Sequence, residues 1–169
     1  MDLETAIRTR RTHKVFGAEP VPAETLAELI ELATWAPNHH STNPWRFRVL
    51  GPDSLARLKL ATGPEGASKL DRAPTLIAVT SLTNEDAEVE EEDLLATGAA
   101  VYALLLAAHD RGFATYWRTP GVLRTTEGRQ ALGIPDNERF VALVHLGPMR
   151  QDAQTPERAP LSEILTTLD

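Results

Sequence analysis

The sequence predicts a single globular domain that combines helices and strands. The chain has 169 residues, a length at which one domain can bury a hydrophobic core. Apolar residues make up 42% and charged residues 24%, as in ordinary folded proteins. Segments with helical spacing alternate with short apolar segments typical of strands, and we find neither a repeat nor a dividing linker.

Two helices are predicted at the start of the chain. Residues 2–9 favour a short helix that leads into a basic cluster at residues 8–14. A second helix is expected from about Pro22, since a proline in the first turn loses no helical hydrogen bond. Pro37 ends it at about Ala36, because the residue before a proline avoids the helical region. Its apolar residues have near-helical spacing: Leu26, Leu29, Ile30, Ala33 and Trp35.

A strand and a third helix follow. In residues 45–50 apolar and polar side chains alternate as they do in a half-buried strand. Asp53 or Ser54 is the expected cap of a helix that continues to about Ala61. Glycine and proline cluster at residues 63–66, which predicts a turn or a mobile loop.

The centre of the chain predicts a buried strand and a long buried helix. Residues 75–80 are apolar enough for a central strand. Residues 85–93 hold seven acids in nine positions, which indicates either an acidic partner patch or a solvated loop before the next helix. That helix, at about 93–111, is apolar nearly all round and ends at Gly112. A second subunit that covers one of its faces would explain this composition.

The last part of the chain predicts two more strands, at 114–119 and 139–146, with a short helix at 124–132 between them. The segment after Gly147 is rich in proline and polar residues, with a short helix at 161–168 as the alternative to an irregular tail.

Composition excludes several classes of function. A net charge of −7 disfavours a general nucleic-acid binder, which needs a basic face. The absence of cysteine excludes disulfide scaffolds, thiolate zinc sites and iron–sulfur clusters. Residues 1–11 lack the apolar core of a signal peptide, and the apolar segment 94–108 is shorter than the roughly 20 residues of a membrane span. We therefore expect a cytoplasmic protein that binds neither nucleic acid nor membranes.

Two segments carry candidate ligand-binding residues in the first quarter of the chain. Arg10, Arg11 and Thr12 offer two guanidiniums and a hydroxyl, which suit a phosphate, although a solvated basic turn has the same composition. The loop at 36–45 contains adjacent histidines, but the other histidines are scattered, so we expect no metal site. Its many donors and acceptors could instead bind the edge of a planar heterocycle.

A third candidate segment lies at the end of a predicted strand, at residues 116–119. In one interpretation Trp117 belongs to the hydrophobic core and Arg118 to a surface ion pair. In the other, both line a ligand, and the guanidinium binds its anionic group. The sequence contains neither the glycine-rich dinucleotide motif nor a phosphate-binding Walker loop, and no Gly-x-Ser-x-Gly. One phosphate-bearing cofactor contacted from both basic clusters would explain why they occur in an acidic chain.

These segments, in this order, resemble the nitroreductase family of FMN-dependent oxidoreductases, and most closely its small bacterial branch. The likeness covers nearly the whole chain and extends to the long helix at 97–108 and to residues 111–113 and 144–147. The motifs that carry it are Arg10-Arg11-Thr12, Glu19-Pro20-Val21-Pro22, Ala36-Pro37-Asn38-His39-His40, Asn43-Pro44-Trp45-Arg46-Phe47, Trp117-Arg118-Thr119 and Arg158-Ala159-Pro160-Leu161.

The resemblance implies an α+β fold over residues 1–169, with a central, mixed and mainly antiparallel sheet flanked by helices. It also implies an intertwined homodimer with FMN at the subunit interface. One subunit would hold the phosphate and ribityl end, and the other would reach the flavin. The first group of residues is Arg10, Arg11, Thr12, Trp117, Arg118 and Thr119, and the second is His39 and Asn43. Lys14 is a secondary candidate near N1 and O2 of the flavin.

The implied reaction is ping-pong. NADH or NADPH passes a hydride to FMN and leaves before a nitroaromatic, a quinone or another conjugated acceptor enters the same open site. No catalytic acid or base is assigned, because the cofactor performs the hard step. Two alternatives stay open: a related flavin reaction that destroys flavin, dehalogenates or dehydrogenates, and a flavin-binding dimer without enzymatic activity.

Overall fold

The computed structural model of the protein describes residues 1–168. Within this range the strands form one antiparallel sheet with the order β1-β2-β4-β3. The strands are β1 (Trp45–Val49), β2 (Thr75–Leu82), β3 (Phe113–Arg118) and β4 (Glu138–Pro148). The helices are α1 (Leu3–Thr9), α2 (Ala23–Ala33), α3 (Pro52–Thr62), α4 (Pro64–Leu70), α5 (Ala87–Asp110) and α6 (Thr126–Ala131). The expected α+β fold is confirmed, and the sheet, expected to be mixed and mainly antiparallel, is antiparallel at every pairing of these strands.

The hydrophobic core has two layers, one on each face of the sheet. Leu29 of α2 and Leu104 of α5 pack on one face against Ile77 of β2, and all three are fully buried. The helices α3, α4 and α6 cover the opposite face, where Leu58 and Leu143 are also fully buried. The central strands β2 and β4 are therefore covered on both sides, which agrees with their apolar sequences.

The long helix α5 begins earlier than the sequence predicts. Asp86 caps it by accepting hydrogen bonds from the backbone N–H groups of Glu88 (2.9 Å) and Val89 (3.5 Å). Most of the acidic segment, for which a solvated loop before the helix was one of two interpretations, thus forms the first turns of the helix. Carboxylates are favourable there because they face the positive end of the helix dipole.

The second helix ends earlier than expected. Helix α2 stops at Ala33, where the N–H of Thr34 bonds to the carbonyls of Ile30 (3.1 Å) and Glu31 (3.0 Å). Trp35 then points away from the core and is 81% exposed, so its helix-like spacing was not a sign of burial.

The turn or mobile loop expected at residues 63–66 is also wrong. Gly63, at φ +76°, separates α3 from α4, and Pro64 occupies the first turn of α4. The glycine and proline thus mark a junction between two helices.

The C-terminal segment is largely irregular. Of the short helix expected at residues 161–168, the structure forms one 3₁₀ turn at Leu161–Glu163. Its apolar side chains are exposed, with Ile164 at 72% and Leu168 at 86% of their full area. In residues 1–168 no helix combines the length and the apolar character that crossing a membrane requires.

Candidate functional site

The end of helix α1 delivers two arginines to a cleft. The backbone N–H of Arg10 bonds to the carbonyl of Ala6 and closes the helix, and Arg11 follows outside it. The cleft has a volume of about 520 Å³ and lies between α1, α5 and the C-terminal segment. It is lined by Ile7, Arg8, Arg10, Arg11, Tyr102, Thr155, Pro156 and Arg158.

Three of the four guanidinium groups in this cleft have no carboxylate partner among residues 1–168, whereas Arg8 pairs with Glu4. Within the described residues, neither Arg10, Arg11 nor Arg158 has a carboxylate within 4 Å. The Nε atoms of Arg10 and Arg11 are buried and have no hydrogen-bond partner in that part of the chain. A buried donor without a partner costs about 1–3 kcal/mol, so this arrangement favours an anionic ligand. The Cζ atom of Arg10 lies 6.0 Å from the ring centroid of Tyr102, which supports the guanidinium from α5.

The positive charge of the cleft affects the pKa values of two nearby histidines. Burial and the charge of Arg10 together lower the pKa of His13 and that of His109, in each case with burial as the larger cause. The ring Nε2 of His109 lies 2.8 Å from the hydroxyl of Thr9, at the end of α1. The lowered pKa values favour the neutral form of both histidines.

Thr12 ties the basic segment to the edge of the sheet. It forms a parallel bridge with Thr115 of β3, and the N–H of His13 donates to the carbonyl of Thr115 (3.0 Å). Thr12 is exposed, so its hydroxyl is accessible to a ligand beside the cleft. Lys14, two residues further, is also exposed.

The loop that precedes β1 has an unusual backbone. His40, Ser41 and Asn43 have φ values of 51°, 54° and 49°, a left-handed conformation that residues with a side chain rarely adopt. Asn38 stabilises the turn, because its Oδ1 accepts the backbone N–H of Asn43 (3.0 Å). The amide of Asn43 is itself used within the loop, where it donates to the carbonyl of Ser41 (2.7 Å).

Two acidic residues of α5 contact this loop. Nδ1 of His39 lies 2.6 Å from Oε2 of Glu92, and the hydroxyl of Thr42 donates to Oδ1 of Asp93 (2.5 Å). Asp93 is buried, whereas His39 and Glu92 are partly exposed at a cavity of about 380 Å³. That cavity is lined mainly by apolar groups of residues 37–38 and 95–99.

The segment at the end of β3 divides between the two faces of the sheet. Trp117 packs on the α5 side, where a Cβ at Gly98 would lie 3.9 Å from its ring. Arg118 lies on the other side, with Nη1 3.3 Å from the carbonyl of Lys69 and 3.5 Å from Nε2 of His145. Thr119 is exposed beyond the strand.

Within one chain, the predicted site residues therefore form separate groups. Arg10 and Arg11 share a cleft, with Thr12 beside it, and Arg118 faces the opposite layer of the core. The loop with His39 and Asn43 contacts α5 at Glu92, ten residues or about 15 Å before Tyr102. The histidine loop and the arginine cleft of one chain are therefore positioned to contribute to two different ligand-binding sites.

Sequence reasoning missed three residues that the structure brings to these groups. Arg158 lies in a segment that resembles the family, but nothing in its neighbourhood showed that it would face Arg10. Tyr102 is one aromatic residue in an apolar helix, and Glu92 is one of seven similar acids. Their positions depend on tertiary contacts that no local pattern reports.

The sequence profile of the nitroreductase family matches residues 7–67 and 61–148 of this chain. The chain is 28% identical to YfhC of Bacillus subtilis, over 98% of this chain and 94% of the relative. It is 29% identical to YdjA of Escherichia coli K12, over 94% and 93%. The names of both assign them provisionally as NAD(P)H nitroreductases.

A structure with the same fold contains a ligand. A provisionally assigned nitroreductase from Desulfovibrio desulfuricans, solved in complex with FMN, superimposes with a TM-score of 0.81 and is 29% identical. The superposition covers 98% of this chain and 96% of the other. The resemblance stated from the motifs is confirmed, and the chain belongs to the nitroreductase family.

Proposed function

We propose that this protein is an FMN-dependent oxidoreductase that uses NADH or NADPH to reduce conjugated acceptors such as nitroaromatics and quinones. The observation that carries the proposal is the cleft in which buried guanidinium nitrogens of Arg10 and Arg11 have no partner among residues 1–168. The FMN complex of the Desulfovibrio protein and the names of YfhC and YdjA support the cofactor and the electron donor.

The cleft fits the phosphate end of FMN. A phosphate monoester carries about −1.5 to −2 charges near neutral pH and has three acceptor oxygens. Arg10, Arg11 and Arg158 would supply paired N–H donors to those oxygens, and the hydroxyls of Thr12 and Thr155 lie at or beside the same cleft. Binding there would bring acceptor oxygens to guanidinium groups that have no carboxylate partner among residues 1–168.

His39 and Asn43 do not line the arginine cleft of their own chain. We propose that His39 and Asn43 of a second copy complete the site, which makes the homodimer the functional unit. Exposed apolar side chains support an interface along α5: Leu95 is 67% and Tyr102 39% exposed. We retain Trp117 and Thr119 as candidates for the first subunit's side of the site. Arg118 stays a candidate phosphate ligand by resemblance to the family, although within one chain it faces the opposite layer of the core from Arg10.

Bound FMN would supply the hydride chemistry, accepting from NADH or NADPH and passing electrons to the acceptor in ping-pong turnover. The chain's own task is to bind and orient the cofactor and to leave one open site for both substrates. We assign no catalytic acid or base. We further propose that the whole chain acts as one FMN-binding domain and works in the cytoplasm, where NADH and NADPH are available.

The test is a spectral and kinetic comparison of wild type with Arg10→Ala. Purified wild type should show the visible flavin absorption, bind added FMN, and oxidise NADH or NADPH when a nitroaromatic or quinone is supplied. Arg10→Ala should be purified largely free of flavin.

Three results would refute the proposal. The first is a wild type that does not bind FMN. The second is FMN binding without oxidation of either nicotinamide, which would favour the non-enzymatic dimer. The third is oxygen-dependent loss of the flavin itself, which would favour a flavin-destroying reaction.

A further inference from the structure

The imidazole of His39 is held on two sides. Its Nδ1 lies 2.6 Å from Oε2 of Glu92, and the ring of His40 stacks on it with the centroids 3.9 Å apart and the planes at 20°. The backbone of His40 is left-handed, at φ 51°. Such backbone strain persists where the surrounding structure requires one particular geometry. The position of this ring is therefore strongly determined, although its side chain is 57% exposed.

The contact with Glu92 is not needed to hold the loop. Thr42 binds the buried carboxylate of Asp93, and Asn38 bonds to the backbone of Asn43, both independently of Glu92. An exposed pair such as His39 and Glu92 contributes little to stability, because water and salt screen it. The contacts around Glu92 therefore give little reason to assign it a role in stabilising the fold.

The chemistry of the pair determines which ring nitrogen faces a ligand. An ionised carboxylate only accepts hydrogen bonds, so Nδ1 of His39 must carry the proton that lies between the two groups. In the neutral ring Nε2 is then an unprotonated acceptor. Within the described residues Nε2 makes no hydrogen bond, while the cavity beside it is formed mainly by apolar groups.

We propose that Glu92 is a positioning residue for the flavin: it fixes the proton on Nδ1 and orients the ring of His39. Nε2 can then accept a hydrogen bond from an N–H group of the isoalloxazine held in the partner's cleft. This inference rests on the proposed function. It extends the site to a residue that touches neither the phosphate cleft nor the ligand.

The matched pair of variants is Glu92→Gln and Glu91→Gln. Both remove one negative charge from the same turn of α5, but the side chain of Glu91 is exposed and makes no hydrogen bond within residues 1–168. The glutamine amide at position 92 can donate to Nδ1 as well as accept from it, so it no longer fixes the proton. For the neutral ring of His39, ¹⁵N NMR should show the proton on Nδ1 in wild type and Glu91→Gln. Glu92→Gln should show a mixture of tautomers.

The affinity for FMN should follow the tautomer. Loss of one oriented hydrogen bond predicts that Glu92→Gln binds FMN about three- to tenfold more weakly than wild type, with Glu91→Gln unchanged. In a His39→Ala background the same Glu92→Gln change should have no further effect, because Glu92 acts only through His39. The thermal midpoint of Glu92→Gln should match that of Glu91→Gln.

Three results would overturn the inference while leaving the proposed function intact: equal FMN affinities for Glu92→Gln and Glu91→Gln, an unchanged tautomer of His39, or an undiminished effect of Glu92→Gln in the His39→Ala background. A wild type that does not bind FMN would instead refute the proposed function, and this inference with it.

Discussion

A buried ion pair at the end of the sheet gives a sharp test of how this fold is stabilised. Arg48 of β1 binds Glu138 of β4 with both ends of its guanidinium, at 2.7 Å and 2.9 Å, and the hydroxyl of Thr80 also donates to Glu138. The side chain of Glu138 is 6% exposed and that of Arg48 is 26% exposed. Glu138 therefore depends on its two donors, whereas Arg48 keeps some access to water.

The magnitude follows from this difference in burial. Breaking a buried pair costs about 3–5 kcal/mol when the remaining charge is left without a partner. Glu138→Gln leaves the better solvated partner and should cost about 2–3 kcal/mol. Arg48→Met leaves the more deeply buried carboxylate and should cost about 4 kcal/mol. Glu127→Gln, an exposed acid in α6, should change stability by less than about 0.5 kcal/mol.

The loss should also depend on pH. Burial raises the pKa of Glu138, but the hydrogen bonds from Arg48 and Thr80 and the positive charge of Arg48 outweigh it, so the net pKa is lowered. The ionised pair thus contributes stability above the pKa of an unfolded glutamate, about 4.3. That stability is lost as the pH falls through the lower folded value. The deficit of Glu138→Gln should be complete at neutral pH and shrink in acid.

Urea unfolding of the wild type and the three variants, repeated from neutral pH to about pH 3, measures these free energies. Equal losses for Glu138→Gln and Glu127→Gln at neutral pH would refute the reasoning. So would a Glu138→Gln deficit that does not change in acid.

Three further predictions concern the cleft, the interface and a buried histidine. Arg158→Ala should weaken FMN binding about 10- to 100-fold, the value of one charge-assisted contact, while the exposed Arg150→Ala should not; equal Kd values by flavin fluorescence would contradict the assigned cleft. Leu95→Asp should shift sedimentation from dimer to monomer and release FMN, whereas Leu60→Asp, at an 83% exposed position on α3, should leave the dimer intact. Burial, together with the positive charge of Arg118, lowers the pKa of His145 to about 4. The unfolded chain therefore binds a proton on this histidine at a higher pH than the folded chain does. The free energy of unfolding of the wild type should fall by up to about 3 kcal/mol between about pH 6.5 and 4. This prediction would be contradicted if the free energy of unfolding of a His145→Leu variant fell by the same amount over this pH range.

Local sequence signals were sufficient for most of the sheet and its helices. The strands β2 and β4 are covered on both faces, so continuous apolar segments identified them. The helix α4 was missed because Gly63 and Pro64 suit a turn as well as the start of a new helix. Trp35 has helical spacing but lies outside the core, so the periodicity extended α2 too far.

The candidate site was only partly predictable for a different reason. Arg10 and Arg11 stand out by composition, but the partners that form a cleft with them are distant in sequence. Glu92 carries the same sequence signal as its acidic neighbours, and only the helical register of α5 brings it to His39. Such pairings depend on packing, which a single sequence does not report.

The length of α5 determines which parts of each proposed flavin site a single chain contributes. One end of this helix anchors the histidine loop and the middle supports the arginine cleft, roughly three helical turns apart. In the proposed dimer each chain donates half of two different sites. Chains that carry Arg10→Ala and chains that carry His39→Ala should therefore complement each other on mixing: the hybrid assembles one undamaged site and one that carries both lesions, and it recovers a flavin stoichiometry that neither parent reaches alone.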